Sequence, residues 1–204
     1  DVLVGLAAGQ RRLSLKTIAW DVDDVLNELM KTWLEHWWLP SNPSSRIRYE
    51  EIIENPPHRL LGISQTDYLV SLDAFRLSQT ARDMKPVEEV LEWFFQYGHR
   101  FRHLALTATP LCAAPTSAEW VMRHLGRWIR TFHVIPSPRD RQEIPRYDKN
   151  KSDYLQWFDR VDLLVDDSPD HVASARALGI PALLVSRPWN RGSMGTGQLL
   201  DSLI

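Results

Sequence analysis

The sequence predicts an α/β fold, a Rossmann-like parallel sheet with helices on both faces and a small helical insertion after the first strand. Three observations predict it. Short β-rich apolar runs alternate with helical stretches, the order of a parallel sheet covered on both sides. Those runs stop at polar, reactive residues, as strands do at the ligand-binding edge of open α/β sheets. Between the first run and the next βα unit lie about sixty residues, too many for a connection and too regularly patterned for a loop.

The first strand candidate, Leu15 to Trp20, breaks abruptly into Asp21-Val22-Asp23-Asp24. A helix, Val87 to Tyr97, and the turn residue Gly98 lead to a second, Arg102 to Leu106, which ends in Thr107-Ala108-Thr109-Pro110. The third, Val161 to Val165, ends in Asp166 and Asp167, and the fourth, Pro181 to Val185, follows a helix His171 to Leu178 stopped by Gly179. Trp33, Trp37, Trp38, Tyr49, Leu60, Tyr68, Leu72 and Phe75 recur at helical spacings between Asn27 and Lys85, interrupted by Pro40-Ser41-Asn42-Pro43 and Asn55-Pro56-Pro57. The domains are therefore expected as a core of residues 1–27 and 86–204 and an insertion of residues 28–85. Pro136 to Asn150 reads as a surface loop, and residues 1–14 match no pattern.

Composition narrows the partners. With 24 Lys plus Arg against 26 Asp plus Glu, the 204-residue chain has a net charge of −2, not the basic excess of a protein that binds a nucleic acid polymer. The apolar run Val2 to Ala8 is too short to span a bilayer and lacks the basic start of a signal peptide, so no membrane association is expected. One cysteine, Cys112, cannot form an internal disulfide, which fits a cytoplasmic location. Nine tryptophans are many for this length, and most are expected in the core.

Asp21 and Asp23, two residues apart just beyond a strand, can reach one space. Such a pair can act as nucleophile with a neighbouring acid and base, or hold a hard cation. Adding Asp166 and Asp167, with Asp24 beside the first pair, concentrates negative charge that must be relieved by protons or a cation. Mg²⁺ fits best, because it prefers oxygen ligands and also binds substrate phosphate. Thr107 can offer its hydroxyl, and the following N–H groups from Ala108 onward, to a phosphate oxygen. Lys149 or Lys151, just ahead of the helical stretch Ser152 to Phe158, can offset the extra charge.

In this order, Asp21-Val22-Asp23-Asp24-Val25-Leu26, Thr107 after Leu104-Ala105-Leu106, Lys151, and Leu164-Val165-Asp166-Asp167-Ser168-Pro169-Asp170 resemble the four motifs of the haloacid dehalogenase (HAD) superfamily of phosphohydrolases, across roughly residues 15 to 190. The run Ala175 to Leu184 and the closing Arg187-Pro188-Trp189-Asn190 are similar to the 5'(3')-deoxyribonucleotidase group. The resemblance implies that Asp21 attacks phosphorus to form an aspartyl-phosphate while Asp23 protonates the leaving oxygen and then activates water. It implies that Thr107 and Lys151 bind the transferring phosphoryl group. It also implies Mg²⁺ on the Asp21 carboxylate, the Asp23 carbonyl and Asp167, with Asp166 as the alternative, and Asp170 fixing the loop.

Two departures stand out: Asp24 occupies a position where the nucleotidase group commonly has a small residue such as glycine, and Lys149 competes with Lys151. The resemblance makes the insertion a cap, with Trp33 and Trp37 among the aromatic residues available to stack on a nucleobase, and Lys31, Arg46 and Arg48 available to a second anionic group. The expected function is a Mg²⁺-dependent phosphomonoesterase acting on a small phosphate ester, a deoxynucleoside monophosphate in the leading case, and compatible with a homodimer. The alternatives are a phosphatase for another small phosphorylated metabolite and a non-catalytic binding protein; retention of both Asp21 and Asp23 argues against the last.

Overall fold

The computed structural model describes residues 15–139, 143–145, 147–190, 192 and 194–204; residues 1–14, with the run Val2 to Ala8, lie outside them. Strands β1 (Thr17–Trp20), β2 (Arg102–Thr109), β3 (Ile129–Pro136), β4 (Leu163–Asp166) and β5 (Ala182–Leu184) form one sheet in the order β3-β2-β1-β4-β5. Every neighbouring pair is parallel. The strand order reverses at β1, so the loops leaving β1, β2 and β4 surround one crevice at the carboxyl ends of the strands.

Helices α1 (Leu29–Trp33), α2 (Leu39–Ser41), α3 (Gln65–Arg76) and α4 (Gln79–Arg82) belong to the insertion after β1. Helices α5 (Glu88–Tyr97), α6 (Ala114–Leu125), α7 (Lys151–Phe158), α8 (Pro169–Ala177) and α9 (Thr196–Asp201) cover the sheet. Successive strand residues point to opposite faces. Ile18, Trp20, Ala105 and Val165 accordingly pack with Val90, Trp93, Phe94, Trp120, Val121 and Leu199 from α5, α6 and α9. Ala19, Leu104, Leu106 and Leu164 pack on the other face with Tyr154, Leu155, Val172 and Ala175 from α7 and α8.

The insertion has a core of its own. Helix α1 continues through a wider π-helical stretch, Leu34–Trp38, into α2. Ser64 and Ser78 cap α3 and α4 by accepting from the Asp67 and Ala81 N–H groups. Trp33, Leu34, Trp38, Ile52, Tyr68, Leu72, Phe75 and Met84 close around one another, with Trp33 edge-on to Tyr68 at 5.2 Å. Few residues are available here, so large rings supply the buried area, roughly 25 cal/mol per Å².

Two features depart from the sequence reading. Helix α6 and the edge strand β3 (Ile-Arg-Thr-Phe-His-Val-Ile-Pro) had no counterpart among the predicted elements, because β3 mixes polar residues into its apolar positions as a strand at a sheet edge can. Strand β2 also continues to Thr109 instead of ending at Leu106: pairing of Thr107 with Val134 and Thr109 with Pro136 keeps extended a segment whose composition suggests a turn. Among the described residues no helix is long and apolar enough to cross a membrane.

Neighbouring phenylalanines on α5 test this layering. Phe94 is fully buried, whereas Phe95 is 61% exposed. Phe94→Ala is expected to lower the unfolding free energy by about 3–5 kcal/mol. Phe95→Ala should cost about 1 kcal/mol or less, with urea denaturation as the measurement.

Candidate active site

Lys151 is the organising cation. It opens α7, directly after Asn150, whose side chain accepts from the Asp153 N–H and sets the start of the helix. The Lys151 side chain is 1% exposed, and its Nζ lies 2.7 Å from Asp21 Oδ2 and 2.7 Å from Asp166 Oδ2. The loops after β1 and β4 are thus joined through one ammonium group. Burial disfavours the charge on Lys151, but Asp166 and Asp21 outweigh it and hold the group protonated well above its ordinary range. Lys149 is exposed at the surface.

The carboxylates differ in what satisfies them. Burial would raise Asp166, but Lys151 and His171 overcome it and keep this acid ionised below its usual range. Its Oδ1 accepts from the Ser168 N–H at 2.9 Å and lies 3.1 Å from His171 Nδ1. Asp21 must share Lys151 with Asp166, and burial pushes it up to about 6 despite the ion pair. Asp167 is raised well above the ordinary value by burial and by the charges of Asp21, Asp24 and Asp166. Its Oδ2 accepts from Trp189 Nε1 at 2.9 Å.

Asp23 meets residues from outside the motifs. Its Oδ2 accepts from Arg76 Nη2 of α3 at 2.7 Å, leaving Oδ1 with a long contact from Asn27 Nδ2 at 3.4 Å. Arg76 also lies 3.6 Å from Asp73, which Arg139 grips with Nε at 2.6 Å and Nη2 at 2.8 Å. This chain of charges ties the insertion to the loops after β1 and β3. Arg76 and Arg139 were not anticipated; the only sequence signal was the i,i+3 spacing of Asp73 and Arg76 on one helix.

Asp24 has φ 60°, a left-handed conformation that Asp tolerates better than most residues. Its buried carboxylate accepts from the Met30 N–H at 2.9 Å, so it fastens the start of the insertion's first helix. Asp170 was expected to fix the fourth loop, but it is exposed, and the Ser168 side chain is what accepts from the His171 N–H to cap α8.

Thr107 is wholly buried, and among the described residues its hydroxyl has no hydrogen-bond partner. Asp21, Asp23, Asp24, Ala108, Asp167 and Trp189 line a cavity of about 450 Å³, roofed by Met30, Tyr68, Leu69, Leu72 and Arg76 of the insertion. Trp33 and Trp37, expected to face a substrate, do not line it. Trp33 is 0% exposed, with its indole N–H on Ser71, and Trp37 packs against Phe75. Their rings are used up as the insertion's core. Lys31, Arg46 and Arg48 also stay away from the cavity, near Glu28, Pro43 and Glu51.

The carboxylates of Asp21, Asp23 and Asp167 that face the cavity offer the oxygen donors a hard divalent cation prefers, with His171 also on the lining. Asp21, Asp166 and His171 each bring one potential ligand atom within 4.8 Å of the others. Asp166 accepts hydrogen bonds on both its oxygens and does not line the cavity. Asp21, Asp23 and Asp167 do line it. Burial and the neighbouring acids together raise Asp167, and a cation beside it would relieve the crowding of charge.

No family model matches this sequence, and no curated protein sequence matches it. Solved structures do share its fold. A haloacid dehalogenase-like hydrolase of Streptococcus pneumoniae aligns at TM-score 0.61 with 12% identity, covering 91% of this chain and 90% of its own. A Lactobacillus delbrueckii protein described as a phosphoglycolate phosphatase aligns at 0.58 with 12% identity, over 94% and 99%. A Bacillus subtilis HAD-hydrolase, YfnB, bound to magnesium, aligns at 0.52 with 12% identity, over 84% and 87%. The fold is therefore the HAD-like α/β fold.

Asp24 offers a test of the buried charge. Burial pushes its carboxyl up to about 7, from 3.8 when unfolded. The folded state therefore takes up the proton more readily, so its ionisation penalty is absent below about pH 4 and complete above about pH 7. Asp24→Asn keeps an acceptor for the Met30 N–H and suits the left-handed backbone. In metal-free buffer it should be more stable than the parent at pH 8, by about 1–4 kcal/mol, with the gain vanishing near pH 4 in chemical denaturation.

Proposed function

We propose that this chain is a Mg²⁺-dependent phosphomonoesterase that works through an aspartyl-phosphate, with residues 28–85 as a cap over the site. What supports this reading above all is the cavity at the strand ends, lined by Asp21, Asp23 and Asp167, with Lys151 held 2.7 Å from Asp21; Thr107, buried without a hydrogen-bond partner for its hydroxyl among the described residues, stands in the strand beside the one that leads to Asp21. The names of the similar folds agree with it, one described as a phosphatase and another solved with magnesium.

A carboxylate oxygen of Asp21 attacks phosphorus and the ester P–O bond breaks, giving the aspartyl-phosphate and an alkoxide leaving group. Asp23, through the oxygen that Arg76 leaves free, gives that oxygen its proton. Asp23 then takes a proton from water, whose oxygen attacks phosphorus, breaks the acyl-phosphate bond and regenerates Asp21. Thr107 Oγ1, the Ala108 N–H and Lys151 Nζ hold the phosphoryl oxygens. Mg²⁺, held by Asp21, Asp167 and the Asp23 carbonyl, would supply positive charge against the phosphoryl oxygens. The insertion excludes water from the cavity it roofs.

The leaving group belongs to a small metabolite. A deoxynucleoside monophosphate is the narrower reading, favoured by Arg187-Pro188-Trp189-Asn190 and by Trp189 and Tyr68 at the cavity. Burial of Trp33 removes a stacking surface and favours a phosphate ester without a base.

The test is phosphate release from a panel of phosphate esters, deoxynucleoside monophosphates included, with Mg²⁺. Asp21→Asn should lower kcat/KM by about three orders of magnitude or more, and Thr107→Val should lower kcat by about 10²–10³. Release that survives Asp21→Asn would overturn the nucleophile. A parent protein inactive on every ester and without affinity for Mg²⁺ would favour a binding role.

A further inference from the structure

We propose that Trp189 is a positioning residue for Asp167: its indole N–H takes one carboxylate oxygen so that the other is presented to a divalent cation, and its ring links that orientation to the insertion. This rests on the Mg²⁺ reading above and concerns how this chain prepares its own ligand. Trp189 Nε1 donates to Asp167 Oδ2 at 2.9 Å. The next residue holds the same loop, Asn190 Nδ2 donating to the Asp167 carbonyl and to the Val185 carbonyl, each at 2.7 Å. Asn190 Oδ1 accepts from the Arg187 and Gly192 N–H groups, both at 3.0 Å, so the turn carrying the indole is itself fixed. Arg187 Nε reaches across to the Asp24 carbonyl at 2.7 Å, joining this turn to the loop after β1.

The two adjacent acids are treated differently. Asp166 is met by a lysine, a histidine and a backbone N–H, which use both its oxygens and balance its charge. The hydrogen bond on the Asp167 side chain comes from a neutral donor, which fixes the carboxylate without cancelling the negative charge a cation needs. The indole stands edge-on to Tyr49 of the insertion, centroids 6.1 Å apart and planes at 87°, and packs against the insertion core. Trp189 also lines the cavity beside Asp167, so it spans insertion, cavity and acid.

The experiment is calorimetric titration of the whole metal-stripped protein with Mg²⁺, alongside thermal melting without metal. Trp189→Phe, which keeps a ring against Tyr49 and deletes the donor, should bind Mg²⁺ about 10- to 100-fold more weakly while melting close to the parent without metal. Tyr49→Leu, which leaves the indole N–H but removes the ring it rests on, should weaken binding by a smaller factor, and it serves equally if Trp189→Phe melts early. Unchanged Mg²⁺ affinity in both folded variants would overturn the proposal and leave the metal reading standing. A parent protein that binds no Mg²⁺ would overturn both.

Discussion

A single buried ammonium group shared by two carboxylates is the constraint on which the rest depends. Lys151 stands 2.7 Å from both Asp21 and Asp166, at the ends of β1 and β4. Without it, two acids nearly shut off from solvent would face each other in a medium that screens poorly. Burial, with one positive charge set against Asp21, Asp166 and Asp167, leaves Asp21 raised to about 6 and Asp167 well above its ordinary value. The site is left short of positive charge, and in the proposed function a cation makes up that deficit.

The insertion solves a different problem. A helical layer of this length has little interior, and its aromatic side chains are spent on making one. It reaches the loops after β1 and β3 through polar contacts: Asp24 accepts from the Met30 N–H, Arg76 pairs with Asp23, and Arg139 of the core grips Asp73. Holding the insertion to the core thus draws on the same acids that surround the cavity. Its position and the state of Asp23 are coupled by construction.

Much of this was legible in the sequence where local chemistry repeats. Apolar runs ending in acids identified β1 and β4, because a buried parallel strand must be apolar and must stop where its polar work begins. Strand β3 was not legible, since an edge strand tolerates the arginine and histidine that broke the apolar run. Thr107 was expected as a phosphate contact beyond the end of its strand, but it lies within β2, because pairing with β3 overrides the turn tendency of Thr-Ala-Thr-Pro. Lys151 and Lys149 could not be separated by spacing, yet burial separates them, since one lies beneath the acids and the other in solvent. Trp33 and Trp37 show the limit most plainly: periodicity puts an aromatic on a helix face but does not say whether that face meets a ligand or its own core. Arg76 and Arg139 belong to no motif, and only the fold brings them to Asp23 and Asp73.

The claim that Lys151 holds the acidic strand ends together is tested most directly by the unfolding free energy of Lys151→Met in metal-free buffer at pH 8. The account predicts a loss of about 3–5 kcal/mol, the cost of leaving buried carboxylates unpaired, partly recovered when Mg²⁺ is added. A variant that unfolds within about 1 kcal/mol of the parent without metal, at the level of an ordinary surface substitution, would contradict it.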